Sequence, residues 1–204
     1  MGYLGLSGPV IKEDNLFQRL FWPGDHAGEA NALGQQGFWI CAVVAIVSFV
    51  VLTIQGHLLI ALLSLAFFGL GGVGVREHST AAAILVAAAY LLNQAAGLMT
   101  GKYPGAMTII AAVLLLANIR GTWIAARWAK RGDPEAIPER MHETWRDRLV
   151  DQFPPRVWPK ARGIFFCAAA IYMLLDVLGT VALVRHASAP APTRHVQTIY
   201  VPSS

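Results

Sequence analysis

From residue 38 onward the chain falls into long apolar runs divided by short polar punctuation. Phe38–Ile54 and Leu58–Val75 carry no charged residue, and only Gln55, Gly56 and His57 lie between them. A single helix through both runs would be 38 residues long, about 57 Å at 1.5 Å per residue. The hydrocarbon layer of a bilayer is only about 30 Å thick. The chain therefore has to turn at the polar trio, giving a tight hairpin of two short spans. Arg76, Glu77, His78 and Ser79 make the next turn, and Ser79 or Thr80 is placed to cap a third span that runs to about Met99. Its Ala81–Ala83 and Ala87–Ala89 clusters suit close helix contact in lipid. Gly101, Lys102, Tyr103, Pro104 and Gly105 read as a loop. A fourth span follows over Ala106–Ala126 and a fifth over Ile164–Val184.

Two further segments have one apolar stripe each. In residues 10–22, Leu16, Phe17, Leu20 and Phe21 share a helical face, with Trp22 at the end and Pro23-Gly24 as the stop. Such a helix suits the membrane interface. In the polar stretch before the fifth span, Asp133-Pro134 resembles a helix start, and Ile137, Met141, Trp145 and Leu149 recur every fourth residue. Phe153-Pro154-Pro155 is expected to end that helix, with Arg156–Pro159 extended. The predicted fold class is all-α integral membrane: five transmembrane helices plus two short interfacial amphipathic helices. The predicted divisions are an N-terminal segment (1–37), a four-helix unit (38–126), a basic loop (127–163), the fifth span (164–184) and an extended tail (185–204).

Composition agrees, since 55% of residues are hydrophobic and only 14% charged, against roughly 25% charged in soluble domains. The cations are unevenly placed. With five spans, twelve Lys and Arg fall on the side of the N-terminus, the Arg76 turn and the long loop, and three on the other side. The excess of Lys and Arg marks the cytoplasmic side, so the N-terminus is expected inside and the C-terminus outside. The net charge of +4 is then a topology signal, satisfied by anionic headgroups, and no nucleic-acid partner is expected. No cleavable signal peptide is expected, because Lys12, Glu13, Asp14, Arg19, Asp25 and Glu29 precede the first apolar run. Cys41 and Cys167 lie inside apolar runs without metal-binding spacing.

Several residues carry possible chemistry. Gly69, Gly71 and Gly74 match a dinucleotide-binding fingerprint, but they lie in a membrane span and position 94 is Gln where an acid is required. Close helix packing is the simpler account. Asp176 lies twelve residues into the fifth span, roughly 18 Å deep, where a carboxylate is costly unless protonated, paired or wetted. It is expected to form a buried polar cluster with Asn93 or Asn118; Arg120 is the candidate counter-ion, or snorkels to the near surface. The alternative is a proton relay or binding site. His57 and His186 belong near the external face, as possible ligands or simply as interfacial residues. His142-Glu143 lacks zinc-protease spacing, and no Gly-x-Ser-x-Gly elbow occurs.

Leu70-Gly71-Gly72-Val73-Gly74-Val75-Arg76 closes the second span, Ser79-Thr80-Ala81-Ala82 opens the third, and Asn118-Ile119-Arg120-Gly121-Thr122-Trp123 closes the fourth. On these motifs Phe38–Trp128 resembles a group of small uncharacterised bacterial multi-pass membrane proteins. The resemblance implies a four-helix unit and no known activity. The expected function is that of a non-catalytic accessory or scaffolding subunit of a larger membrane complex, respiratory or photosynthetic. The tail Ala187–Ser204, with three prolines and no helical pattern, orders only when something holds it. The expected partners are larger membrane subunits and lipids; no cofactor of its own is expected, only contact with lipids or pigments of the host. The alternative is a small transporter or channel using Asp176.

Overall fold

The computed structural model of the protein describes residues 27–131 and 145–187; the side chains of 27–32, 128–131, 146–148 and 186–187 lie outside that description. The described residues form five helices: α1 (Ala27–Ile54), α2 (Leu58–Arg76), α3 (Thr80–Met99), α4 (Ala106–Arg131) and α5 (Trp145–Ala187). All five are long and apolar enough to cross a membrane; the described residues are all-helical, and their arrangement is that of a multi-pass membrane protein. The stripe at residues 10–22 lies outside the described residues.

The turns follow from local chemistry. Gly56 at φ +82° and Gly101 at φ +77° hold the left-handed conformations that reverse the chain after α1 and α3. At the α2–α3 turn His78 takes φ 57°, and the Ser79 Oγ accepts from the Ala82 N–H at 3.4 Å to cap α3. α1 begins at Ala27, well before the expected start at Phe38. Its Gly34 and Gly37 lie against the Arg76 and Asn118 side chains, and that packing outweighs glycine's poor helix propensity.

The sequence-based break at Phe153-Pro154-Pro155 is overturned. α5 is continuous from Trp145 to Ala187, with Pro154, Pro155 and Pro159 inside it. Its 43 residues extend about 64 Å, so it stands well clear of a 30 Å layer. The second amphipathic segment, as far as it is described, is thus an upright extension of the last span. Proline ends helices by withdrawing a ladder donor and disfavouring the helical region before it. Here the face that carries Val150, Asp151, Pro154 and Ala161 is buried, and tertiary packing holds the geometry that the local preference opposes.

The helices pack as a ring, α1 beside α2, α2 beside α3, α3 beside α4, and α4 beside α1, with α5 laid into the groove between α2 and α3. The glycines of α2 make these approaches possible. A Cβ at Gly72 would stand 2.8 Å from Cys41 of α1, and one at Gly74 would stand 2.5 Å from Trp158 of α5 and 2.7 Å from Ala82 of α3. A Cβ at Gly71 would collide with Val86 of α3, whereas Gly69 faces open space. The fingerprint-like run is therefore a three-sided packing surface. Below it an aromatic stack joins α2 to α5: Phe67 lies parallel to Phe165 at 5.7 Å and to Tyr172 at 4.8 Å, with Phe68 edge-on to both Phe67 and Tyr172.

Candidate functional site

These contacts give α5 its register. Trp158 faces Gly74, Phe165 faces Gly71, and Tyr172 lies against Phe67, so α5 runs antiparallel to α2. Asp176 is one turn beyond Tyr172, toward the end of the bundle that holds Gly56. There the Asn93 Nδ2 donates to Asp176 Oδ2 at 3.2 Å, lies 2.9 Å from the Tyr172 hydroxyl and also reaches the Ala89 carbonyl at 3.3 Å. Ser64 is fully buried beside Tyr172. Asn93 stands six residues before the end of α3, about 9 Å by helical rise, so the group belongs to the half of the bundle nearer Gly56. Asp176 and Asn93 are each only half-buried. The carboxylate reaches the outer surface of the bundle between α3 and α5.

The other two polar residues of the expected cluster lie elsewhere. Asn118 of α4 is buried near the opposite end. Its Nδ2 donates to the Leu114 carbonyl at 2.8 Å, and its Oδ1 would be 2.6 Å from a Cβ at Gly37, which also faces Val75. Val75 and Ser64 are eleven residues apart on α2, about 16 Å, so Asn118 does not join Asp176. Arg120 is farther still along α4, and among the described residues it makes no ion pair with Asp176. To the depth difference that separates them in sequence, the packing of α4 on α1 and α3 adds a lateral separation from α5.

At the Arg76 end the structure assembles a site that the sequence did not reveal. Arg76, 1% exposed, donates through Nη2 to the buried Asp151 carboxylate of α5. Its Nη1 and the His78 ring both line the surface of Gly34 on α1. Val150 is fully buried beside Phe38 and Val73, with Trp39, Val157 and Trp158 packed around them. α1, α4 and α5 all continue past the α2–α3 turn, so Arg76 and His78 lie at the base of a collar of helices. Arg76 reads in sequence as a topology charge in a turn, and Asp151 as one acid in a mixed-charge loop. A contact across 75 residues leaves no local trace.

The clamped face of α5 has an opposite face. Trp145, Leu149 and Phe153 recur every fourth residue and are 69%, 44% and 47% exposed. Arg156 and Lys160, both exposed, continue the same line toward the membrane level. On α4 the Arg127 guanidinium lies 4.5 Å over the Trp123 ring. His57 is exposed at the Gly56 turn, and the backbone at 186 ends α5 at that same end; the His186 side chain lies outside the described residues. Among the described residues no three His, Cys, Asp or Glu side chains converge. No protein-family model, curated protein or solved structure matches this chain.

Proposed function

We propose that the chain is a non-catalytic accessory or scaffolding subunit of a larger complex in a bacterial cytoplasmic membrane. The observation that carries this reading is the upright, clamped extension of α5. One face is held to the bundle by the buried Arg76–Asp151 pair and Val150, and the other presents Trp145, Leu149 and Phe153 outward. An upright helix cannot lay this stripe along the lipid surface. Large exposed aromatic side chains on a rigid element are frequent anchors of a protein interface. In this reading the Arg76 end is cytoplasmic, as the Lys and Arg bias requires, and the C-terminus is outside. The segment 10–22 is an interfacial helix. The host is energy-transducing, respiratory or photosynthetic, and its lipids or pigments touch this subunit.

The test is purification in mild detergent from the native membrane. Co-purification with larger membrane chains, lost when Trp145→Ser and Phe153→Ser are combined, supports the proposal. A monodisperse 22 kDa protein with no companion overturns it. The polar contact of Asp176, Asn93 and Tyr172 favours a second reading, a small transporter or channel. That reading is the weaker one. Toward the Arg76 end the group meets the packed rings of Phe67, Phe68 and Phe165, and these offer no polar continuation for a permeating ion.

A further inference from the structure

Asp176 stands in an unusual setting for a carboxylate. It is half-buried, lies about 9 Å in from the end of the neighbouring α3, and has one hydrogen-bond donor among the described residues, Asn93. That donor divides its Nδ2 between the Ala89 carbonyl, the Tyr172 hydroxyl and the carboxylate. The Thr180 hydroxyl is turned to the Asp176 backbone carbonyl at 2.8 Å and does not serve the side chain. The carboxylate is thus partly exposed on the bundle, and among the described residues no cation pairs with it. Aspartate is too short to reach the headgroups from such a depth, and an uncompensated charge there is costly.

The surface beside it is shaped for close approach. Gly179 on α5 has no atom within 4 Å of a built Cβ, and Gly97 on α3 has only the Lys102 carbonyl, at 4.0 Å. Both glycines follow the polar pair along its own faces, Gly97 four residues after Asn93 and Gly179 three after Asp176. Beyond them Val181–Arg185 is exposed. The result is an outer surface of α3 and α5 on which two uncrowded glycines flank a half-exposed carboxylate.

We infer that this surface docks a transmembrane helix of a partner subunit, one that carries a lysine or arginine at the depth of Asp176. Charge complementarity selects the occupant: a cationic side chain completes the carboxylate, and the glycines let the partner's backbone come near enough to deliver it. The inference rests on the accessory-subunit reading and adds to it a second contact, inside the membrane and independent of the α5 extension.

The test uses the full chain in phosphatidylcholine nanodiscs and three labelled single-span probes. Each probe is a leucine helix with one glycine face; they differ in a single residue at the depth of Asp176, which is Lys, Leu or Glu. Energy transfer reports association. The expected result is that the Lys probe binds roughly tenfold tighter than the Leu probe, as for a close charge pair, and the Glu probe no tighter than Leu. D176N, which keeps the shape, removes the Lys preference, and Gly179→Ile blocks all three probes with helix content unchanged. Gly69→Ala, on a different surface, changes nothing. Equal binding of the three probes, or a Lys preference that survives D176N, overturns the inference. In native membranes D176N is expected to lower recovery of the complex. Wild-type recovery with D176N defeats the docking site and leaves the subunit reading standing. No complex with the wild-type chain defeats the subunit reading, and the probes still decide the docking surface.

Discussion

Arg76 shows how one residue takes on a different meaning once packed. In the sequence it is the first charge after an apolar run and counts toward topology. In the fold it is a buried cation whose partner comes from the last helix. A buried pair contributes little over apolar replacements, but removing one member leaves an uncompensated charge. Arg76→Met or Asp151→Leu alone is therefore expected to cost about 3–5 kcal/mol, and the double variant is expected to recover most of it. Denaturant titration in detergent, followed by helix content, measures both; equal losses in single and double variants would remove the pair from its stabilising role. The glycines of α2 separate just as sharply. Gly74→Ala drives a Cβ into Trp158 and Ala82, and such overpacking costs about 1–3 kcal/mol. Gly69→Ala meets open space and is expected to be neutral in the same titration. The sequence assigned these glycines to helix packing; which of them are required follows only from what lies opposite.

At the scale of elements, α5 is where local rules and the fold disagree. Three prolines predict a break, and a spin-label experiment distinguishes the two descriptions. Labels at Leu149 and Ile164, fifteen residues apart, lie about 22 Å apart along a continuous helix. An extended stretch at 153–159 would give a longer, broad distribution. A narrow peak near the helical value is expected, and in Asp151→Leu, where the clamp is lost, the distribution widens. The spans themselves were legible because an apolar run of twenty or so residues has one stable backbone solution in lipid. Their ends were less so. α1 starts at Ala27 and α4 reaches Arg131, since a helix can continue past the hydrocarbon layer into polar sequence, where hydropathy no longer marks it.

For the whole molecule, orientation is the property most open to a direct check. In a Cys167→Ser background, with Cys41 fully buried, Tyr103→Cys is expected to react with an impermeant maleimide from outside intact cells. Arg127→Cys is expected to react only after the membrane is opened. The reverse pattern would invert the topology. The number of spans and the sites of the turns follow from composition and from the thickness of a bilayer, and the charge bias proposes their direction; these quantities are one-dimensional and are written along the chain. Which helix neighbours which is not. The ring of α1–α4, the placement of α5 against α2 and α3, the union of Asp176 with Asn93 and the separation of both from Asn118 and Arg120 all depend on register between distant helices. So does the pairing of Arg76 with Asp151. Sequence alone determined the set of apolar rods and where they reverse, because each rod must satisfy its own backbone hydrogen bonds. Only the tertiary structure decided which polar side chains meet, because a polar group in a membrane takes its partner from whatever helix packing brings within reach.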